Sequence, residues 1–149
     1  MQEIREAFND LLEADPVLQG LTGYAAGDTR VYEESPPMKI AMNSTSPAYI
    51  TWRWSSPGGI IPEEYTQKAQ YPDEYADVNV YATTSVLRDQ VSERIDLILK
   101  DKDWNTALYR VLTTDRMGSQ DIQEIHPGTQ QLIIKRKYIR YRFRGIYRK

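Results

Sequence analysis

The spacing of apolar residues predicts a helix at the amino terminus of this chain. The apolar positions recur at spacings of 4, 3 and 1, at Ile4, Phe8, Leu11 and Leu12. Side chains at this spacing lie on one side of a helix, while the acidic residues between them point elsewhere. We expect the helix to end at Asp15-Pro16, after which Val17, Leu18 and Leu21 can form one further turn.

A central segment carries the second helical pattern. Its apolar stripe comprises Leu87, Val91, Ile95, Ile98 and Leu99, and charged residues occupy the opposite side. Thr84 or Ser85 supplies a side-chain oxygen that can cap the first turn. We therefore predict an amphipathic helix over residues 84–101.

Segments rich in aromatic and β-branched residues predict strands. These are residues 30–32, 48–54, 75–83, 107–114, 122–125 and 132–149. Residues 115–120 are polar, and we predict a turn there. The combined pattern predicts one α/β (α+β) domain over residues 1–149, in which a mostly antiparallel sheet is flanked by the amino-terminal helix and the central helix.

Alternation within residues 132–149 divides their side chains between two faces of a sheet. One face carries Arg136, Tyr138, Arg140, Arg142 and Arg144, and the other carries Lys135, Lys137, Ile139, Tyr141, Phe143 and Gly145. Only residues 139–143 have the pattern of a core-facing strand. The arginine face is either a solvated sheet surface whose charges discourage edge pairing, or a surface directed at another subunit or at nucleic acid.

Charge is distributed unevenly along the chain. Eight basic residues follow residue 124 with no acid among them, so residues 1–124 are about 10 charges negative while the whole chain has a net charge of −2. A chain with two oppositely charged parts can dock its positive strand on the negative surface of a second copy, or can hold a polyanion. We expect the charges of residues 135–144 to be unmatched within the subunit.

The residues between the second and third predicted strands suggest a long binding loop. Residues 55–71 include Pro57, Gly58, Gly59 and Pro62, and their apolar residues do not recur at a regular spacing. Loops of this length in compact domains are usually binding elements or become ordered against a partner.

Candidate catalytic chemistry is sparse. The chain has no cysteine, which excludes disulfides and thiolate chemistry and fits a reducing cytoplasm. His126 precedes Pro127-Gly128 in a predicted turn, and the acidic pairs 33–34, 63–64 and 73–74 lie in predicted loops. The amino terminus has the pattern of neither a signal peptide nor a membrane span. We predict a protein that is not an enzyme, with no catalytic residues, no cofactor and no metal site.

The order of the predicted elements resembles that of the tail terminator, or tail-completion, proteins of long-tailed bacteriophages. The resemblance includes the amino-terminal helix, the short Arg30-Val31-Tyr32 strand and the final strands. It is carried mainly by residues 47–54 and by residues 75–99, where a strand runs into the amphipathic helix.

The resemblance implies a small α/β protein that forms a ring, usually a hexamer, on the last ring of the tail tube. Such proteins are not enzymes; they stop tube growth and offer a surface to a head-tail connector or stopper protein. Genomic DNA passes through the lumen without being a sequence-specific ligand. The implied location is the tail or neck of a virion assembled in the bacterial host cytoplasm, with no membrane partner and no small-molecule substrate. Residues 55–71 and the arginine-rich end match no shared motif.

We predict protein–protein contacts in two regions, the long loop and the arginine face. The candidate interface residues are Trp54, Pro57, Gly58, Gly59, Tyr65, Tyr71, Arg136, Arg140, Arg142 and Arg144. For Trp52 and Trp54 the alternative is that both share one strand face and cover the core. Further alternatives for the whole chain are a connector or stopper subunit, and a nucleic-acid-binding protein with aromatic residues between its basic ones; a sequence pI of about 5.5 weighs against the last.

Overall fold

In the computed structural model, the described residues form three helices that pack on one face of a seven-stranded sheet. The structure describes residues 2–24, 28–36, 40–55, 70–100, 102, 104–125 and 133–149. The helices are α1 (Gln2–Ala14), α2 (Pro16–Thr22) and α3 (Ser85–Leu99). The strands are β1 (Val31–Glu33), β2 (Ala48–Ser55), β3 (Gln70–Tyr71), β4 (Glu74–Ala82), β5 (Trp104–Asn105), β6 (Tyr109–Ile125) and β7 (Ile133–Arg148). The predicted α+β fold with a mostly antiparallel sheet is confirmed.

The strands follow the order β1-β2-β4-β7-β6-β5 across the sheet, and β3 pairs with β7 beyond the end of β4. The β1–β2 pair is parallel, whereas the other pairs are antiparallel. The strand β1 therefore lies at one edge of the sheet, and the long hairpin of β6 and β7 lies toward the other.

The helices follow the apolar spacing of the sequence. Ile4, Phe8 and Leu12 of α1 are buried, and the predicted end of this helix at Asp15-Pro16 is confirmed. The carboxylate of Asp15 caps α2 by accepting a hydrogen bond from the backbone N–H of Leu18 at 2.9 Å. This satisfies one of the N–H groups that the first turn of a helix leaves without a partner.

The central helix α3 begins after Thr84, whose hydroxyl oxygen accepts a hydrogen bond from the backbone N–H of Leu87 at 3.2 Å. The buried stripe of α3 contains Val91, Ile95 and Leu99, as predicted. These side chains pack over the buried residues of β4 and β7, so that one apolar core joins the helix layer to the sheet.

The predicted turn at residues 115–120 is wrong, because β6 is one continuous strand with an irregularity between Arg116 and Gly118. Pairing with β7 along its length supplies backbone hydrogen bonds whatever the polarity of its side chains. Charged cross-strand neighbours, such as Asp115 opposite Arg142, further suit this polar segment to a strand. The two-residue strand β5 is too short to give a sequence pattern.

The alternation predicted for β7 is confirmed up to Phe143 and then inverts at Gly145. Ile139, Tyr141 and Phe143 are buried, but so is Ile146, three residues further on. Gly145 has a φ of 64°, and a Cβ atom there would lie 2.9 Å from a side-chain carbon of Leu112. Glycine is suited to this position because it adopts a positive φ without steric cost.

Candidate interaction surface

The two faces of the sheet carry different residues because side chains alternate along each strand. The inner face, which the helices cover, includes Ile50, Trp52, Val78, Val80 and Ile139, all buried. We define the outer face as the opposite side of β2, β4, β7 and β6. It is mainly polar and aromatic.

Strand register arranges the outer face in rows, since directly paired residues point to the same side of a sheet. Each row below runs from β2 through β4 and β7 to β6. The first row is Tyr49, Tyr81, Arg136 and Ile122, and the second is Thr51, Asn79, Tyr138 and Gln120. The third row is Arg53, Asp77, Arg140 and Gly118, and the fourth is Ser55, Tyr75, Arg142 and Asp115.

Aspartates from β4 and β6 lie among the arginines of β7. Nε of Arg140 lies 3.6 Å from an oxygen of Asp77, and Nη2 of Arg142 lies 3.5 Å from an oxygen of Asp115. Nε of Arg144 lies 2.7 Å from the same carboxylate of Asp115. The expectation that this strand carries unmatched charge is therefore wrong in part, because strand pairing brings two acids from distant parts of the sequence, Asp77 and Asp115, beside three of its arginines.

The outer face nevertheless keeps a surplus of positive charge. In the four rows, together with Arg144 further along β7, the basic residues are Arg53, Arg136, Arg140, Arg142 and Arg144, and the acids are Asp77 and Asp115. Five guanidinium groups against two carboxylates leave a net charge of about +3 on this surface. The side chains of Arg140 and Arg144 are 38% and 46% exposed, so a partner can reach their charges.

Aromatic rings hold two of these arginines in place. The guanidinium of Arg140 lies 4.3 Å from the centre of the Tyr75 ring, and that of Arg136 lies 5.5 Å from the centre of the Tyr81 ring. Arg136 also donates a hydrogen bond to the side-chain oxygen of Asn79 at 2.9 Å. Cation–π contacts of this kind restrict the arginine side chains, which reduces the entropy that a partner must remove on binding.

Tyr138 connects the second row of the outer face to the third. Its hydroxyl donates a hydrogen bond to Asp77 at 2.6 Å. Burial raises the pKa of Tyr138, and the hydrogen bond and the negative charge of Asp77 raise it further. Asp77 thus accepts from a tyrosine while it faces Arg140, so its carboxylate organises the centre of this face.

The remaining candidate residues have different surroundings. Trp54 is half-buried on the inner face, where its ring centre lies 4.7 Å from that of Phe143, and Trp52 is fully buried. The alternative that both tryptophans cover the core is confirmed. The backbone of Tyr71 pairs with Ile146. Outside the residues that the structure describes lie Pro57, Gly58, Gly59, Tyr65, His126 and the side chain of Tyr71.

An acidic cleft lies between α1 and the end of β1, at the edge of the sheet that β1 forms. It has a volume of about 270 Å³ and is lined by Gln2, Arg5, Glu6, Asn9, Asp10, Glu33 and Trp52. Arg5 forms an ion pair with Glu33, while Glu6 and Asp10 are exposed. Three carboxylates against one guanidinium leave the cleft with a net charge of about −2.

Sequence reasoning did not find this cleft as a site. The acids of α1 are visible as the polar side of an amphipathic helix, which by itself indicates only a solvated surface. What defines the cleft is the placement of β1 beside α1, which brings Glu33 to Arg5 across 28 residues of sequence.

A group of charges on the helix side fixes the long hairpin to α3. Nζ of Lys137 lies 2.9 Å from Asp89 and 3.6 Å from Asp121, and Arg88 pairs with both of these aspartates. The guanidinium of Arg88 and the ammonium of Lys137 hold the pKa of Asp89 below its usual range. Since opposite charges alternate around this group, its role is structural.

The α+β fold described above is shared with a chain of a solved virion structure. A chain in the solved structure "Virion of native gene transfer agent (GTA) particle" matches with a TM-score of 0.62 and 17% sequence identity, over 95% of this chain and 92% of that chain. At this identity the match shows a common fold. No protein-family model and no curated protein matches the sequence. In the part of the chain that the structure describes, every helix is too short or too polar to cross a membrane.

Proposed function

We propose that the chain is a structural component of a phage-like virion and, within it, a tail terminator. It forms a ring of six copies on the head-proximal end of the tail tube. One rim contacts the tube protein, and the other contacts a connector or stopper protein. The protein acts by binding and not by catalysis.

The observation that carries this proposal is the extent of the fold match. It spans 95% of this chain and 92% of a chain in a gene transfer agent virion, so the whole domain is compared and not a common sub-motif. The order of helices and strands that resembles tail terminators lies within this same domain. The outer face and the acidic cleft add two differently charged surfaces, which a head-to-tail ring requires of each copy.

Native mass spectrometry of the purified chain, alone and mixed with tail tubes, tests the proposal. We expect six-fold species, or binding confined to tube ends. A chain that stays monomeric and does not bind tail tubes would contradict the proposed terminator role. Electron microscopy of tails assembled without the chain separates the two neck roles, since loss of a terminator gives tubes of uncontrolled length whereas loss of a connector or stopper leaves tube length unchanged.

A further inference from the structure

We propose that the outer face of the sheet docks on the α1 side of a second copy, with arginines of β7 facing the acidic cleft. This inference deepens the proposed ring and rests on it. It names the two surfaces that join neighbouring subunits. The first argument is charge: the outer face has a surplus of about three positive charges, and the cleft has about two negative ones.

The second argument is position. The cleft lies beside β1 at one edge of the sheet, whereas the arginines of β7 lie on the opposite face and toward the other edge. Because the two surfaces do not overlap, one copy can use both at once. Two different surfaces that are complementary give a head-to-tail contact, which closes into a ring when the rotation between copies allows it.

The third argument is the availability of the charged groups. Arg140 and Arg144 are more than a third exposed, and Glu6 and Asp10 of the cleft are exposed. Asp115 is shared between Arg142 and Arg144, so it cannot neutralise both. A carboxylate from a neighbouring copy would supply the second partner that Arg142 and Arg144 lack. Planar guanidinium groups favour such bidentate contacts with carboxylates.

Complementary charge reversal tests the inference. The face variant carries Arg140→Glu and Arg144→Glu, and the cleft variant carries Glu6→Arg and Asp10→Arg. Alone, each variant places like charges at every contact, and we expect its self-association to weaken at least about 100-fold, because such contacts cost several kcal/mol. Mixed in equal amounts, the two variants have complementary surfaces at every contact. Native mass spectrometry should then find assemblies with alternating copies of the two variants.

Matched controls use exposed charges of the helix layer. Lys100→Glu and Glu93→Arg each reverse one exposed charge near or on α3, in the same direction as a single substitution of the face variant and of the cleft variant, respectively. Both controls should leave association unchanged. Recovery on mixing also excludes misfolding, since an unfolded variant cannot be restored by a second unfolded one. High salt should weaken wild-type association, since the screening length is only about 3 Å at 1 M.

The outcomes distinguish a failure of the proposed docking surfaces from a failure of the proposed tail terminator function. If the wild-type chain forms rings or caps tubes but both variants do so equally well, the docking surfaces are wrong and the proposed function stands. If the wild-type chain neither associates nor binds tubes, both fail. If the face variant instead loses binding to a short DNA duplex, and mixing restores nothing, the outer face is a polyanion surface and the inference is overturned.

Discussion

The inner and outer faces of this sheet are built from the same strands but have different physical roles. Along β4, alternate residues are fully buried at Ala76, Val78 and Val80 and partly exposed at Asp77 and Asn79. Burial of the inner face removes apolar area from water and so stabilises the fold. Charges on the outer face add little stability because water screens them, but they remain available to a partner. The comparison teaches that one strand separates, at alternate positions, the apolar residues that stabilise the fold from the polar residues that face outward.

The largest expected effect on stability compares an inner-face residue, Phe143, with the outer-face residue that follows it in sequence, Arg144. Phe143 is fully buried against Phe8, Trp54 and Trp104, so Phe143→Ala should lower the free energy of unfolding by about 3–5 kcal/mol. Arg144→Ala, one residue further along, should cost less than about 1 kcal/mol because Arg144 is 46% exposed. Urea unfolding measures both. Similar losses at the two positions would contradict the division into faces.

The next effect concerns the point where the alternation inverts. Gly145→Ala places a Cβ on a residue with a φ of 64° and near Leu112, and should cost about 1–2 kcal/mol. Gly118→Ala in β6 is the control, since nothing lies within 4 Å of its added Cβ. Thermal unfolding of the two variants gives the comparison. Equal stability of the two variants would show that β7 can invert its alternation at this position without glycine.

A charge on the helix layer should contribute more than one on the outer face. Asp15 caps α2 and accepts hydrogen bonds from Arg94 at 2.9 and 2.7 Å, and this guanidinium holds the pKa of Asp15 below its usual range. Asp15→Asn keeps a capping oxygen but loses the ion pair, at a cost of about 1 kcal/mol near neutral pH.

The pH dependence follows from the lowered pKa of Asp15. Its contribution is complete above the ordinary aspartate value of about 3.9 and is lost as pH falls through the lower folded-state value. Unfolding free energies of the wild type and Asp15→Asn, measured from neutral pH downward, should therefore converge below about pH 3.9. A constant difference down to low pH would show that the ion pair is not the cause.

The smallest effect on stability is expected at the centre of the outer face. Asp77→Asn should change the unfolding free energy by less than about 0.5 kcal/mol. The pKa of Tyr138 should nevertheless fall toward the ordinary tyrosine value, because Asp77 no longer opposes its ionisation. Absorbance titration of the phenolate measures this shift, with Asp115→Asn as a control that should not move it. An unchanged Tyr138 pKa would mean that burial alone raises it.

Local patterns were sufficient for the helices and for the faces of β7 up to Phe143, before the alternation inverts at Gly145. The stripe of Val91, Ile95 and Leu99 predicts α3 because helical spacing is set by the backbone alone. The continuous β6 could not be predicted in this way. Its polar residues 115–120 read as a turn, and only pairing with β7 keeps them extended.

The sequence by itself determined which residues alternate, which helices form and that positive charge concentrates at the end of the chain. The tertiary structure decided what those charges face. Asp77 and Asp115 meet arginines of β7 through strand register, and Glu33 meets Arg5 through the packing of β1 beside α1. Register and packing join residues that are distant along the chain, so no local pattern records them.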